Sequence, residues 1–198
     1  MRIVTAITGA SGALYGARFV ARAAALGASI DLVVSAAGQR VAHDELGYAF
    51  DPRQGDFAAL LGDDAARVHK VSVSDIGAEA ASGSVAIDGM VIVPCSMGTV
   101  GRIASGVSSN LIERAADVTL KERRPLVVVP RETPLDRIHL VNLTALIDAG
   151  AIVLPAMPAF YGGANTMDAL VDTVVDRVLA SFFGPESIRH PWVPEHAR

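Results

Sequence analysis

Residues Arg2–Val34 read RIVTAITGASGALYGARFVARAAALGASIDLVV and decide the fold of this chain. The β-branched run Arg2–Thr8 contains no turn residue and predicts a buried strand, which ends at the small-residue turn Gly9–Gly12. The alanine-rich segment Ala13–Leu26 predicts a helix, and Ser29–Val34 predicts a second strand. Strand, turn, helix and strand in this order form a βαβ unit, so the sequence predicts an α/β fold with a parallel sheet.

The turn after the first strand has the composition of an anion-binding site. Its small residues allow the backbone to approach a ligand, and the helix that follows presents its first N–H groups. The glycines at 9, 12 and 16 do not have the G-x-G-x-x-G spacing of a dinucleotide site, and Ser35 rather than an acidic residue follows the second strand. Because a serine suits a terminal phosphate better than a ribose diol, a mononucleotide such as FMN is favoured over NAD. A tight turn that binds no ligand is the alternative.

A second turn of small hydroxyl residues follows another apolar strand. Gly89–Pro94 predicts this strand, and Cys95–Thr99 leads into a helix. Since the carboxyl ends of parallel strands meet at one edge of a sheet, both turns are expected to face one crevice. The remaining predictions are helices at Ala36–Leu46, Leu111–Lys121, Ile138–Ala149 and Met167–Phe182, strands at Leu126–Val129 and Ala151–Leu154, a turn-rich segment at Asp51–Asp64 and an unassigned segment at Val68–Ser84.

Composition indicates one globular domain, assigned to residues 1–185, followed by a tail at 186–198. The chain has 198 residues, 51% of them hydrophobic, and a formal net charge of −4. It has no basic tract of the kind that binds nucleic acid, and no apolar run long enough to cross a bilayer. Its single cysteine, Cys95, cannot form an internal disulfide, so a cytoplasmic location is expected.

The stretch LIERAADVTLKERRPLVVVPRETP, Leu111–Pro134, concentrates positive charge in a chain that is acidic overall. Its basic side chains are Arg114, Lys121, Arg123, Arg124 and Arg131. Arg114 and Lys121 share one face of the predicted helix. Arg131 and Glu132 follow a buried strand, and a cation beside an acid at that position suits binding of an anion and transfer of a proton. A solvated helix face and a surface turn are the alternative.

Five motifs together resemble the UbiX-type flavin prenyltransferases. They are GASGALYG at Gly9–Gly16, PCSMGT at Pro94–Thr99, RAADVTLKERRPL at Arg114–Leu126, PRETP at Pro130–Pro134 and PAFY at Pro158–Tyr161. The third and fourth motifs are the specific ones, because a glycine turn alone is a weak signal. The order and spacing of the motifs cover most of the chain, from the first strand to Arg177.

The resemblance implies a Rossmann-like, flavodoxin-like α/β sandwich that assembles into trimers and usually dodecamers. It implies an enzyme that binds reduced FMN and dimethylallyl monophosphate and joins the prenyl unit to N5 and C6 of the flavin. No metal is implied. The product, prenylated FMN, would serve a partner decarboxylase of the UbiD type.

The resemblance also assigns roles to individual residues. The positions that match FMN contacts are Gly9, Ala10, Ser11, Ser35, Ser96, Met97, Gly98, Thr99 and Arg131. The positions that match residues around the prenyl phosphate, contributed by more than one subunit, are Arg114, Lys121, Tyr161 and Arg177. Glu132 matches the acid/base residue, with Ser11 as its neighbour in a proton shuttle. Lys121 is expected to stabilise the leaving phosphate electrostatically.

Two other functions are open at this point. An FMN-dependent cysteine decarboxylase would share the fold, but those enzymes carry a P-x-M-N-x-x-M-W stretch that this chain lacks. A flavin carrier subunit of a decarboxylase would need no catalysis, and Glu132 beside Arg131 argues against it. The chain also departs from the family pattern at Gly162–Asn165, where members often have a basic, proline-containing run. Trp192 matches a tail tryptophan that lies over the site in the family.

Overall fold

The computed structural model describes residues 1–160 and 163–189 of the chain. Its strands are β1 Arg2–Ile7, β2 Ser29–Val34, β3 Val68–Val71, β4 Gly89–Cys95, β5 Leu126–Pro130 and β6 Ile152–Val153. Its helices are α1 Ala13–Ala25, α2 Ala36–Leu46, α3 Gly55–Leu61, α4 Met97–Ala104, α5 Leu111–Lys121, α6 Arg137–Asp148 and α7 Met167–Phe183. Three short 3-10 helices are Gly62–Arg67, Glu79–Ala81 and Pro185–Ser187.

All six strands form one parallel sheet in the order β3-β2-β1-β4-β5-β6. Successive strand residues face opposite sides, so Ile3 and Ile7 pack into one core while Val4 and Ala6 pack into another. The first core is covered by α1, α2, α3 and α7, and the second by α4, α5 and α6. The expected three-layer α/β sandwich is confirmed, with the strand order of the Rossmann type.

The point at which the winding reverses lies between β1 and β4. From β1 the chain moves outward to β2 and β3, then returns to pair β4 with the other edge of β1. Such a reversal opens a crevice at the carboxyl ends of the two strands, which is where ligands bind in open α/β sheets. The turn Gly9–Gly12 lies there, and so does Ser96, the one residue that joins β4 to α4. In the described ranges, no helix is both long and apolar enough to cross a membrane.

Three segments differ from the predictions. Asp51–Asp64, predicted to be turn-rich, contains α3, because Phe57 and Leu61 are four residues apart and give this polar stretch one buried stripe. The unassigned segment contains β3, an edge strand whose His69 and Lys70 are exposed. The last strand, β6, has two residues instead of the predicted four.

Gly38 marks a close approach between α2 and the end of β1. A Cβ on Gly38 would lie 2.6 Å from the carbonyl oxygen of Ile7, and backbone cannot move aside as a flexible side chain does. Gly38→Ala is therefore expected to lower the free energy of unfolding by about 1–3 kcal/mol, measured by urea denaturation. The matched control is Gly77→Ala, where the nearest atom would be 3.6 Å away. A Gly38→Ala protein as stable as the Gly77→Ala protein would contradict this packing.

Candidate active site

The turns after β1 and β4 lie side by side and are joined through Thr8. The buried Thr8 hydroxyl donates to the carbonyl oxygen of Pro94 (3.0 Å) and accepts from the N–H of Ser96 (2.7 Å). The backbone N–H of Thr8 donates to the same Pro94 oxygen at 3.2 Å. These bonds cross the crevice, so the two predicted ligand turns form one continuous rim.

A cavity of about 420 Å³ opens between this rim and the start of α2. Its lining residues are Thr8, Gly9, Ser35, Ala36, Ala37, Ser96, Thr99, Arg102, Asn110, Ile112 and Glu113. The Ser35 hydroxyl accepts from the N–H of Gly38 (3.0 Å), and the Ser96 and Thr99 hydroxyl oxygens are 3.1 Å apart. The structure thus brings together four of the predicted FMN contacts, Gly9 and these three hydroxyl residues, which are dispersed over 90 positions of the chain.

The shape and chemistry of this cavity fit a mononucleotide. A Cβ on Gly9 would lie 2.6 Å from the Cβ of Ala37, so the turn can approach α2 only because Gly9 has no side chain. Hydroxyls and a guanidinium, the groups that bind phosphate, line the cavity. Asp31, the acidic residue of β2, is held instead by the Nε of Arg2 at 2.9 Å, near the start of the strand. A carboxylate for a dinucleotide ribose is therefore not supplied by this strand.

The first N–H groups of α1, which the sequence predicted to be free for a ligand, are bonded to Glu45 of α2. Glu45 Oε2 accepts from the N–H of Gly12 (2.9 Å) and of Ala13 (2.8 Å). A carboxylate at a helix amino terminus is favoured by the helix dipole and by charge-assisted hydrogen bonds. Glu45 therefore holds the turn that carries Ser11, and the N–H groups of Gly12 and Ala13 that were expected to bind an anion are bonded to this carboxylate.

Arg131 and Glu132 extend the rim at the end of β5. The N–H of Arg131 donates to the carbonyl oxygen of Cys95 at 3.3 Å. Burial raises the pKa of Tyr15 in α1 above its ordinary value, and the nearby positive charge of Arg131 partly offsets this. Glu132 is exposed and accepts from the N–H of Thr133 at 3.0 Å. A cation and an acid thus lie side by side at the crevice, as predicted.

A second cavity, of about 300 Å³, lies next to these two charged residues. Its lining residues are Pro130, Arg131, Glu132, Thr133, Leu135, Leu143, Pro155, Ala156 and Met157. The loop after β6 therefore forms one wall, and its Met157 and Phe160 are 72% and 76% exposed. The loop offers an apolar surface directly beside an acid and a cation.

Within one chain, Lys121 lies at the amino-terminal ends of the strands, whereas the crevice lies at their carboxyl ends. The helix α5 begins on the side of the carboxyl ends and spans about 16 Å before it ends at Lys121. There Lys121 pairs with Glu122 and borders a separate cavity with Arg123 and Arg124, at the start of β5. One chain therefore cannot bring Lys121 to Glu132.

The other residues predicted to surround the prenyl phosphate are also dispersed. Arg114 lies in the first turns of α5, with its Nη1 2.8 Å from Oδ2 of Asp117. Arg177 is exposed on α7, whose position against α1 is fixed by ion pairs such as Arg22–Asp176 at 2.5 Å. Tyr161 and Trp192 lie outside the described residues.

Comparison with known proteins identifies the family. The model of the Flavoprotein family matches residues 1–179. A protein from Halalkalibacterium halodurans named flavin prenyltransferase UbiX is 48% identical over 173 residues, which are 87% of this chain and 84% of that protein. The chain belongs to the UbiX-type flavin prenyltransferases.

Solved structures of UbiX-type proteins have the same fold throughout. The crystal structure of AnUbiX (PadA1) in complex with FMN and dimethylallyl pyrophosphate has a TM-score of 0.86 and 39% identity, covering 98% of this chain and 97% of that one. A dodecameric FMN-dependent UbiX-like decarboxylase from Escherichia coli O157:H7 has a TM-score of 0.85 and 38% identity, covering 98% and 99%. A PPC decarboxylase, at 18% identity and a TM-score of 0.58, shares the fold alone.

Proposed function

We propose that this protein joins the dimethylallyl group of dimethylallyl monophosphate to N5 and C6 of reduced FMN, giving prenylated FMN. The observation that carries the proposal is the hydroxyl-lined cavity at the crevice between β1 and β4. Arg131 and Glu132 line a second cavity at the end of the neighbouring strand β5, where the N–H of Arg131 donates to the carbonyl oxygen of Cys95. A neighbour at 39% identity that was crystallised with both FMN and dimethylallyl pyrophosphate supports it.

FMN is proposed to bind along the rim of the crevice, with its phosphate in the cavity of about 420 Å³. The hydroxyls of Ser35, Ser96 and Thr99 would contact the phosphate. The ring system would contact Gly9, Ala10, Ser11, Met97, Gly98 and Arg131. Bound in the reduced state, the flavin supplies the nucleophilic positions N5 and C6.

The proposed chemistry of the chain is charge stabilisation and proton transfer. The allylic C–O bond breaks as inorganic phosphate leaves, and Arg114, Lys121 and Arg177 offset the charge on that phosphate. Tyr161 donates a hydrogen bond to it. Glu132, with Ser11 as its partner in the proposed proton shuttle, passes the proton released from N5 to the leaving phosphate. As the new ring closes, the shuttle adds a proton to the prenyl double bond and accepts the proton lost from C6. The apolar loop that contains Met157 and Phe160 keeps water away from the cation-like prenyl group.

The position of Lys121 supports assembly into a homo-oligomer. Lys121 lies at the amino-terminal ends of the strands and Glu132 at their carboxyl ends. A complete site therefore needs Lys121 from a neighbouring subunit. A trimer-based dodecamer is proposed, as in the neighbour from Escherichia coli O157:H7. The product is proposed to pass to a UbiD-type decarboxylase in the cytoplasm.

The proposal is tested by following phosphate release under anaerobic conditions. Purified protein is mixed with dithionite-reduced FMN and dimethylallyl monophosphate, and inorganic phosphate is measured over time. We expect release that requires reduced FMN and that matches the flavin consumed. Tight FMN binding without phosphate release would contradict the proposal and support a flavin carrier. A parallel assay with the diphosphate, followed through pyrophosphate, compares the two prenyl donors.

A further inference from the structure

A guanidinium lines the hydroxyl-bordered cavity at the β1–β4 crevice. Within residues 1–160 and 163–189, eleven residues line this cavity, and Arg102 is the basic one among them. Arg102 belongs to α4, whose start forms one wall of the cavity, and its side chain is 46% exposed. A phosphate placed among the hydroxyls of the cavity would therefore meet this cation.

The side chain of Arg102 folds back along α4 toward the first turn of the helix. Its Nη2 donates to Oγ1 of Thr99 at 3.3 Å. Its Nη1 lies 3.3 Å from the position that a Cβ on Gly98 would take, so a larger residue at 98 would crowd it. The N-cap residue Ser96 makes no side-chain hydrogen bond to the N–H groups of this helix. The guanidinium and the positive end of the helix dipole would thus attract an anion to the same place.

Glu113 of α5 holds Arg102 in this orientation. Its fully buried carboxylate accepts from Nε of Arg102, from the N–H (2.8 Å) and Oγ (2.6 Å) of Ser109, and from Nδ2 of Asn110 (2.7 Å). Burial opposes ionisation of Glu113, but these hydrogen bonds outweigh it and keep the pKa of Glu113 below its ordinary value. Since Glu113 takes the Nε side of the guanidinium, Nη1 and Nη2 are directed toward Gly98 and Thr99 at the cavity.

We infer that Arg102 binds the phosphate of FMN, and that Glu113 positions Arg102 for this contact. The inference rests on the proposed function, because it concerns the flavin of that reaction. Guanidinium groups bind phosphate oxygens through two parallel charge-assisted hydrogen bonds, which hydroxyls alone cannot provide. Arg102 is thus a specificity-determining residue that distinguishes FMN from riboflavin, which has the same ring system and no phosphate.

The experiment compares the binding of FMN and riboflavin by the full-length protein, using quenching of flavin fluorescence. Arg102→Met is expected to raise the Kd for FMN by about 10- to 100-fold, the range of a hydrogen bond between charged groups. The Kd for riboflavin is expected to stay near the wild-type value. Arg102→Lys keeps the positive charge but lacks the planar guanidinium with its two parallel N–H donors, and it should give an intermediate Kd for FMN. Arg67→Met removes the same charge from a residue that pairs with Asp64 elsewhere, and should leave both Kd values unchanged.

The role of Glu113 is tested by Glu113→Gln in the same assay. A smaller rise in the Kd for FMN, with little further loss when it is combined with Arg102→Met, would support positioning through Arg102. Unchanged FMN binding by Arg102→Met overturns the inference and leaves the proposed function intact, as does equal weakening of FMN and riboflavin. A wild-type protein that binds neither flavin would contradict the proposed function itself.

Discussion

Replacement of Glu132 by glutamine is expected to slow prenyl transfer by about 10²- to 10⁴-fold, the usual contribution of a positioned acid or base. Glutamine keeps the size of the side chain and the ability to accept from the N–H of Thr133, so the local fold should persist. It cannot exchange a proton with the leaving phosphate. FMN affinity should remain at the wild-type level, because Glu132 does not line the cavity of about 420 Å³. The rate is measured in a single anaerobic turnover by flavin absorbance.

The matched control is Glu186→Gln, an exposed glutamate in the 3-10 helix after α7. This variant is expected to turn over at the wild-type rate. A wild-type rate for Glu132→Gln would exclude Glu132 as the acid/base residue. Loss of FMN binding together with the rate would show that the glutamate acts on the structure of the site instead.

Oligomers that contain both Lys121→Met and Glu132→Gln chains are expected to recover activity that neither variant has alone. In one chain these residues lie at opposite ends of the strands, so each complete site takes them from different subunits. Random mixing at equal amounts then leaves about a quarter of the sites with both native residues. The two chains are co-expressed with different affinity tags, and doubly purified oligomers are assayed for flavin consumption.

The control for mixing is a pair of separately assembled variant oligomers, combined after purification, which should stay inactive. Co-expressed oligomers that remain as inactive as their parents would contradict a site shared between subunits. Recovery to about a quarter of the wild-type rate would instead identify Lys121 as the contribution of a neighbour.

The sequence predicted most accurately those elements whose boundaries are set by neighbouring residues, through strand propensity and helix caps. The strand Ser29–Val34 and the helix Ala36–Leu46 have the predicted bounds, because a β-branched run and an N-cap serine meet at Ser35. The helix Leu111–Lys121 was also predicted, and Asn110 caps it by accepting from the N–H of Glu113 at 3.1 Å.

The elements that sequence missed depend on tertiary contacts. The edge strand Val68–Val71 has one hydrogen-bonded neighbour, β2, and exposes His69 and Lys70, so it lacks the continuous apolar run of the central strands. The helix Gly55–Leu61 is stabilised by packing of Phe57 on Phe50, with ring centroids 4.9 Å apart. Its polar composition and the turn residues Pro52, Gly55 and Gly62 predicted a turn-rich segment instead.

Sequence located the rim of the candidate site but not the contacts behind it. The turns after β1 and β4 were predicted to share a crevice, and they do, because parallel strands place their ends together. Glu45 accepts hydrogen bonds from the first turn, and Glu113 accepts one from Arg102. Each bond joins residues on different elements, so no local sequence motif predicts it. One signal was present for Glu113: an asparagine cap followed three residues later by glutamate resembles a capping box. The ion pair of Glu113 with Arg102 could be found only from the structure.

Transfer of a five-carbon prenyl unit to FMN is detected by a change in the mass of the flavin. The protein is incubated without oxygen with dithionite-reduced FMN and dimethylallyl monophosphate, the flavin is extracted, and its mass is compared with a sample that lacks the prenyl donor. We expect the mass to rise by one five-carbon prenyl unit, and we expect no rise in the control. FMN recovered with unchanged mass from a protein that binds it tightly would show that the protein is not a flavin prenyltransferase.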